Sequence, residues 1–343
     1  MKNKKTIPIF VPHKGCPNDC VFCNQKKITG MEKEQTREEI IDTIENALKT
    51  IPDESLVEIA FFGGSFTAIN IKKQIELLEI AGQFISRGQV NTIRISTRPD
   101  AIDQEILDLL KKYKVSIIEL GVQSMDEEIL KKANRGHNTA CVIDSSKLIK
   151  ANGFSLGLQM MIGLPGDTEE KTKNTVDEFI KIKPDFVRIY PVLVIKETEL
   201  KSMLDQGTYK PWDVQRAALA AKDAFKKFIK NDIEVIRIGL QASDTINLES
   251  DVVVGPFHPA FGEIVLSLVF RDIIESFITS HPDLQSQKEI HIKSAKSYIS
   301  KIIGNKKSNK IYFKEKYNLD LITKEMTPKG LMVINKEEIK INF

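Results

Sequence analysis

Up to about residue 240, short apolar runs rich in β-branched residues alternate with longer stretches of helical period. The runs that predict strands are Ile7–Val11, Val57–Phe62, Thr92–Ser96, Ile117–Val122, Phe154–Met161, Phe186–Tyr190 and Val235–Ile238. The stretches that predict helices are Thr36–Leu48, Lys72–Ser86, Ala101–Lys112, Thr139–Ala151, Thr168–Ile180 and Trp212–Ile229. Repeated strand–helix units predict an α/β fold, a partial (β/α)6 barrel with a parallel sheet inside and helices outside. Sites on such sheets collect at the C-terminal ends of the strands.

The alternation breaks at residues 251–259, where two prolines and a glycine interrupt the periodicity. An apolar helix is predicted next, at about Gly262–Thr279. A basic segment with a strand–helix–helix–strand pattern follows it: a strand at Ile290–Ile292, a short helix, a helix at about Lys310–Tyr317 and a strand near Leu331–Ile334. The sequence therefore predicts a core barrel over residues 1–250 and a small C-terminal α/β extension over residues 251–343.

Three cysteines lie directly after the first predicted strand, with the spacing C-x3-C-x2-C: Cys16, Cys20 and Cys23. A structural zinc site takes four nitrogen or sulfur ligands, and a [4Fe–4S] cluster normally takes four cysteines. Three thiolates would leave one iron open to bind a ligand of its own. An open iron beside bound S-adenosylmethionine (SAM) is an arrangement that generates radicals. A zinc loop completed by His13, or three unrelated thiols, are the alternatives.

Further polar motifs fall at the ends of later strands. The second strand ends in Gly63-Gly64-Ser65, where two glycines let the backbone approach a ligand and leave carbonyls free for an ammonium group. The third ends at Thr97, whose side chain is predicted to face the barrel mouth. Gln123 ends the fourth strand and can bind a ribose hydroxyl through its amide.

Arg135, Gln159 and Phe22 also belong to this predicted mouth. Arg135, in the loop after the fourth strand, can pair with a carboxylate in a bidentate manner. Gln159 lies on the fifth strand, and Thr168 after that strand is a predicted N-cap. Phe22, between two of the cysteines, can shield a cluster and pack near an adenine, or it can be a core residue.

Composition narrows the class of protein. The 343 residues, 41% hydrophobic and 28% charged, predict an ordinary globular protein. The sequence has no run of 18 consecutive apolar residues, so no membrane span is expected. The segment Thr6–Val11 after the basic N-terminus is too short for a signal peptide. A cytoplasmic location is therefore expected. Four cysteines, three of them clustered, do not form a disulfide framework, and Cys141 is predicted to be a small buried hydrophobic residue.

Taken in order, these motifs resemble the radical SAM superfamily over roughly residues 6–245. The shared features are the cysteine loop, the Gly-Gly turn, Gly-Val-Gln-Ser, Arg-Gly-His and Gly-Leu-Pro-Gly-Asp-Thr. Within the superfamily, the runs 189–200 and 207–212 are most similar to the radical domain of the Elongator catalytic subunit. The Gly-Val-Gln-Ser and Gly-Leu-Pro-Gly motifs are also shared with oxygen-independent coproporphyrinogen oxidases. The resemblance implies a TIM-like partial barrel.

The resemblance also implies roles for individual residues. Cluster ligation falls to Cys16, Cys20 and Cys23. The methionine part of SAM is held by Gly63, Gly64 and Ser65 at its amino group and by Arg135 at its carboxylate. The ribose is held by Gln123 and Gln159. Related chains use acidic residues near Thr97 and Gln159 to contact the nucleoside, so this chain departs from the pattern at those two positions.

The implied mechanism is reductive. An external one-electron donor reduces the cluster, SAM is cleaved, and a 5′-deoxyadenosyl radical abstracts hydrogen from a substrate, for which a tRNA base is the leading candidate. About 95 residues follow the barrel, too few for the acetyltransferase domain of the Elongator subunit. A small anionic metabolite or a tetrapyrrole is the alternative substrate, although Asn24-Gln25 replaces the Gly-Cys usual in coproporphyrinogen oxidases. A non-enzymatic iron–sulfur or zinc protein is a third possibility.

The C-terminal segment is basic. Residues 281–343 contain 13 lysines and 7 acidic residues, a net charge of +6, while the whole chain carries only +3. A basic tail suggests an anionic partner such as nucleic acid, or a solvated lysine-rich surface. The run from Gly304 to Lys310 between two predicted helices loosely resembles the KH RNA-binding module, but Lys307 stands where that module has its second glycine. A small cap that closes the barrel is the alternative.

Overall fold

The computed structural model describes residues 4–11, 19–24, 35–240, 251–326 and 330–341. Within these ranges, seven parallel strands form one sheet in the order β1-β2-β3-β4-β5-β6-β8. The strands are β1 (Lys4–Val11), β2 (Leu56–Gly63), β3 (Thr92–Thr97), β4 (Val115–Gln123), β5 (Ser155–Ile162), β6 (Phe186–Pro191) and β8 (Glu234–Ile238). The sheet curls into a half-barrel, which confirms the predicted fold class.

Helices cover the outer face of this sheet. They are α1 (Arg37–Thr50), α2 (Ile71–Ser86), α3 (Gln104–Lys112), α4 (Glu127–Lys132), α5 (Thr139–Ala151), α6 (Glu169–Ile182), α7 (Glu199–Asp205) and α8 (Val214–Lys230). Thr168 caps α6, as predicted, because its hydroxyl accepts from the Lys171 N–H at 3.2 Å. Cys141 on α5 is half-buried, so the prediction of a buried residue there was too strong. No helix in the described part of the chain is long and apolar enough to span a membrane.

The two faces of the sheet differ in chemistry. On β2, Ile59 and Phe61 join the large apolar core that the helices cover, whereas Glu58 on the opposite face is also fully buried. Arg94 of β3 lies between two such carboxylates. Its Nη2 is 2.6 Å from Glu58 Oε1 and its Nη1 is 3.1 Å from Glu119 Oε2. The lumen of the half-barrel therefore contains a buried ion-pair network.

That network continues across the sheet. Arg188 on β6 places its Nε 2.6 Å from Glu119 Oε1, and its Nη1 donates to the Tyr190 hydroxyl at 3.2 Å. Gln159 on β5 donates from Nε2 to the same Glu119 oxygen at 2.8 Å. Buried charges are stable only when paired in this way, so the lumen charges fix each other's positions.

A second sheet lies in the C-terminal part of the chain. It has the order β11-β10-β12-β13 in the described residues. Its elements are β10 (Glu289–Ser294), α10 (Lys296–Ile303), α11 (Ser308–Tyr317), β11 (Asp320–Glu325), β12 (Leu331–Ile334) and β13 (Glu337–Lys340). The predicted strand at Leu331–Ile334 is present, but the second strand of the strand–helix–helix–strand unit is β11, which the sequence analysis missed.

One long helix joins the two parts. Helix α9 (Phe261–Ser280) contributes Val265 and Val269 to the barrel core and Phe270 and Ile274 to the second core. A short antiparallel pair, β7 (Val194–Ile195) with β9 (Val252–Val254), precedes it. The division at residues 250 and 251 stays a prediction, since α9 belongs to both cores.

Candidate active site at the mouth of the half-barrel

The glycine turn after β2 lies against the end of β1. Gly63 has φ +105°, and a Cβ on it would lie 2.6 Å from the Val11 carbonyl oxygen. Gly64 N–H donates to that same oxygen at 3.2 Å. Only glycine fits at position 63, and the turn is thereby held against Val11, the last residue of β1.

A buried cluster of hydroxyl groups supports this turn. The Thr97 hydroxyl is 2.8 Å from the Ser65 hydroxyl and 2.6 Å from the Thr67 hydroxyl. Thr67 also donates to the Ala101 carbonyl, and the Arg98 N–H donates to Ser65 Oγ at 3.2 Å. The structure thus places Thr97 behind the glycine turn, with its hydroxyl engaged by neighbouring hydroxyls.

The cysteine segment is described over residues 19–24, with Cys20 buried and Cys23 half-buried. Val21 anchors the segment on two sides: its N–H donates to the Ala133 carbonyl at 3.2 Å, and its own carbonyl accepts from the Leu200 N–H at 2.7 Å. Helices α4 and α7, which the sequence analysis did not predict, supply these partners. Cys16 lies outside the described residues. Within the described ranges, no three His, Cys, Asp or Glu side chains are grouped as metal ligands.

Arg135 links the cysteine segment to the end of β4. Its Nη1 donates to Cys20 Sγ at 2.9 Å, and its Nη2 donates to the Gly121 carbonyl. Its guanidinium lies 5.9 Å from the centre of the Phe22 ring. The structure therefore brings a buried, fixed positive charge beside a candidate cluster ligand, and Phe22 packs on that charge.

The two glutamines differ in their surroundings. Gln123 lies just after a register shift in the β4–β5 pairing and has φ +75°. It is buried, and its Oε1 has no hydrogen-bond partner among the described residues. Gln159 is instead tied to Glu119. An orphaned buried carbonyl needs a donor, so Gln123 is the glutamine that presents an open acceptor at the mouth.

Sequence reasoning placed Arg98 at the mouth but missed its partners and the lumen pair of Glu119 with Arg188. Arg98 pairs with Asp100 at 2.9 Å and donates to the Arg135 carbonyl, which fixes the backbone of that loop. Glu119 and Arg188 form the polar floor of the lumen. The available signal was a charged residue in the middle of an otherwise apolar strand, because such a residue must be paired or functional.

His137 is buried beside this loop. Burial, with the nearby positive charge of Arg135, lowers its pKa from 6.5 to about 4. The folded protein therefore holds His137 neutral, while the unfolded chain takes up a proton first as the pH falls. Its neutral burial contributes stability above about pH 6.5 that is lost as the pH falls toward 4.

We expect this titration to be measurable. When the pH is lowered from about 7 to about 5, the free energy of unfolding of the parent protein should fall by about 2 kcal/mol more than that of His137→Gln. Urea unfolding at each pH, with both proteins in the same cofactor state, provides the comparison. Parallel curves for the two proteins would show that His137 does not titrate in this way.

Two family models match the chain. One, described as the radical SAM superfamily, matches residues 10–179, and the other, described as a radical SAM C-terminal domain, matches residues 184–269. The chain belongs to the radical SAM superfamily. Radical SAM enzymes carry a [4Fe–4S] cluster and use SAM, and both cofactors are therefore assigned to this chain.

Individual relatives give a finer comparison. The chain is 37% identical over 126 residues to a tRNA uridine(34) acetyltransferase of Methanocaldococcus jannaschii, which covers 36% of this chain and 23% of that protein. It is 29% identical over 209 residues to the uncharacterized protein MJ0486 of the same organism, covering 60% of this chain and 61% of that one. The chain thus spans under a quarter of the first relative and about three fifths of the second.

The fold has a counterpart among solved structures. The archaeal Methanocaldococcus infernus Elp3 superposes with a TM-score of 0.61 at 22% identity, over 82% of this chain and 64% of that one. The resemblance to the Elongator radical region is therefore confirmed for part of that protein's length. At this identity the superposition supports the fold alone.

The residues at the mouth fit the two radical SAM cofactors. The glycine turn leaves no room for a side chain at Gly63 and so exposes backbone. The orphaned Gln123 Oε1 offers an acceptor for a hydroxyl, and the Arg135 guanidinium offers charge to a carboxylate or a thiolate. The amino group, the carboxylate and a ribose hydroxyl of SAM would each find a candidate partner here.

Proposed function

We propose that this radical SAM enzyme abstracts a hydrogen atom from a base of tRNA. The observation that carries the proposal is the identity of 37% over 126 residues to a tRNA uridine(34) acetyltransferase. That stretch is a small part of the relative, so its acetyl transfer is not carried over. The lysine-rich extension adds support, since an RNA substrate needs a basic surface.

Within the proposal, each residue at the mouth has one task. Cys16, Cys20 and Cys23 ligate the cluster. The carbonyls of the Gly63-Gly64 turn accept hydrogen bonds from the methionine amino group, and Arg135 binds the carboxylate. The ribose hydroxyls donate to Gln123.

Thr97 and Gln159 act differently from the other residues at the mouth. Thr97 positions the glycine turn through Ser65 and Thr67. Gln159 reaches the cofactor from its place on Glu119.

The cofactors supply the reactive species. When bound, the reduced cluster supplies the electron that splits SAM and yields a 5′-deoxyadenosyl radical. The protein orients the nucleoside, covers the cluster with Phe22 and keeps water from the mouth. An external one-electron donor and a reducing cytoplasm, where thiols stay reduced, complete the proposed setting.

A small anionic metabolite remains the second candidate. Arg237 on β8 is the register partner of Arg188 on β6, so two arginines occupy neighbouring positions on adjacent strands. Arg188 is paired with Glu119, whereas Arg237 donates from Nε to the Gly239 carbonyl at 3.1 Å. Such a pair could bind a carboxylate or phosphate of a small substrate.

The test is anaerobic reconstitution with iron and sulfide, reduction with dithionite, and assay of 5′-deoxyadenosine formed from SAM. We expect the wild-type protein to form it and bulk tRNA to accelerate it. Cys20→Ala should form none, because the buried thiolate at that position is lost. Thermal melting of both apo-proteins provides the control for folding.

Two results would contradict the proposal. Zinc bound in place of iron would remove the radical chemistry from this chain. Active SAM cleavage that tRNA leaves unchanged, but that an anionic metabolite extract accelerates, would replace the tRNA substrate by a small molecule.

A further inference from the structure

The turn between helices α10 and α11 has an unusual backbone. Gly304 has φ +85°, and a Cβ on it would lie 2.7 Å from the Asn309 nitrogen. Lys306 and Lys307 both adopt left-handed conformations, with φ +51° and +63°, and both are exposed. Left-handed backbone is costly for residues other than glycine. Lys307 thus has the backbone conformation of a glycine while carrying a positive charge into solvent.

This turn is held from below by Asn309, which is completely buried. Its Nδ2 donates to the Ser267 carbonyl at 2.8 Å and to the Ile302 carbonyl at 3.1 Å. Its Oδ1 accepts from Arg271 Nε at 2.9 Å. Helix α9 therefore fixes the turn in its strained form, so the lysines are presented without an ordering cost on binding.

The charges around the turn lack intramolecular partners. Lys314 and Lys316, further along α11, pair with Asp320 at 2.9 Å and Glu275 at 2.6 Å. By contrast, Lys306, Lys307 and Lys310 have no carboxylate partner in the described part of the chain. Three cations at the turn are thus available to an anion, whereas Lys314 and Lys316 are each paired with a carboxylate.

A cavity of about 490 Å³ lies beside helix α10, the helix that leads into the turn. It is lined by Tyr298 and Lys301 of α10, the helix that leads into Gly304, and by Arg237 of β8, the last strand of the half-barrel. Its remaining walls are mostly apolar, Leu266 among them, and also carry Glu234 and Glu263. Its volume lies in the ~300–1,000 Å³ range of small-ligand sites, and an aromatic ring with basic neighbours suits a nucleobase.

From these observations we propose that the unit β10-α10-α11-β11 binds an unpaired RNA strand. The turn 304–307 holds the phosphate backbone, and the cavity beside helix α10 receives one base. The two helices joined by a glycine-containing four-residue turn between two strands match the way KH modules clamp RNA backbone. The proposal rests on the proposed tRNA substrate and names the surface that holds it.

Charge complementarity favours RNA over a single small anion. The lysines lie on an exposed turn and on the helix after it, and they face no enclosed site of their own. Exposed point charges bind a small anion weakly in water, whereas a polyanion gains from the release of condensed counterions at every contact. The surface therefore suits a repeating phosphate backbone.

The experiment measures binding of a fluorescein-labelled RNA hairpin with an unpaired loop, by anisotropy, across a series of salt concentrations. The variant is Lys306→Asn with Lys307→Asn, because asparagine tolerates left-handed backbone. The matched control is Lys114→Asn with Lys183→Asn, two exposed lysines with φ +61° and +55° in the barrel. Loss of two phosphate contacts should weaken binding about 10–30-fold near 0.1 M salt and flatten the salt slope by about 1.4.

The outcomes separate this inference from the proposed function. Weaker RNA binding only in the 306/307 variant, with SAM cleavage in the absence of RNA unchanged, supports the inference. Equal binding by both variants and the wild type, or no binding by the wild type, overturns it and favours a cap, even if SAM cleavage is normal. Absence of SAM cleavage by every protein, with RNA binding lost in the 306/307 variant, overturns the proposed function alone.

A second variant tests the cavity. Leu266→Trp adds bulk to its wall without changing any charge of the turn. We expect the salt slope of RNA binding to stay as in the wild type while the acceleration of SAM cleavage by tRNA falls at least tenfold. If tRNA accelerates SAM cleavage by the variant as much as by the wild type, and the melting temperature is unchanged, the cavity does not bind a base.

Discussion

Replacing Arg135 by methionine is expected to weaken SAM binding by about 100-fold, because loss of a charge-assisted pair costs about 3 kcal/mol. The guanidinium is buried and held in place by Cys20, by the Gly121 carbonyl and by the Phe22 ring. Among the described residues, no other arginine contacts Cys20. The carboxylate of SAM would therefore lose this partner without a replacement beside Cys20. Isothermal titration with SAM, on reconstituted proteins of matched iron content, measures the change.

Arg216→Met provides the comparison for Arg135. Arg216 is also an arginine paired through hydrogen bonds, but with the exposed Glu169 on the outside of the barrel at 2.7 Å. Its removal should leave SAM affinity unchanged. If Arg135→Met retained full SAM affinity and instead failed to hold iron, the residue would serve the cysteine segment rather than the carboxylate.

Arg94→Met is expected to lower the free energy of unfolding by about 3–5 kcal/mol, since it removes the buried cation that two buried carboxylates share. Glu58 and Glu119 are both completely buried, and Arg94 lies between them. Arg188 still faces Glu119, but on one oxygen only. Urea unfolding with an unchanged dependence on denaturant would give the difference directly.

Lys4→Met is the matched control for Arg94, because Lys4 contacts the same Glu58 at 3.0 Å but its side chain is half exposed. Exposed pairs contribute only about 0–1 kcal/mol. Equal losses in the two variants would mean that water reaches the lumen network and screens it. A loss below about 1 kcal/mol for Arg94→Met would have the same meaning.

The pattern of apolar residues was sufficient to predict most of the barrel. Every strand of the main sheet and the longer helices were predicted within a few residues, because parallel strands buried on both faces read as continuous apolar runs. Helix Thr139–Ala151 and strand Leu331–Ile334 have the predicted bounds. Helices α4 and α7 were missed because six or seven residues are too few to show a period.

The contacts of the candidate site were less predictable than its location. Strand ends located the glycine turn, Gln123 and Arg135 at one mouth, since parallel strands end together. No local pattern could show that Arg135 reaches Cys20, which lies 115 positions earlier in the chain. Nor could it show that Thr97 faces other hydroxyls. Those contacts depend on strand order and curl, which the sequence specifies only through the whole fold.

Helix α9 gives the molecule a fixed internal distance. Val265 and Val269 pack in one core, and Phe270 and Ile274 pack in the other. The two parts are therefore joined by a helix that is packed in both cores, and not by a flexible linker. A tethered module samples a sphere of positions and raises only the local concentration of its cargo. A module on a shared helix instead keeps a fixed distance from the mouth of the barrel. An RNA strand bound there as proposed would be presented to the barrel at one distance and angle, so the length and shape of the RNA would decide whether a base reaches the mouth.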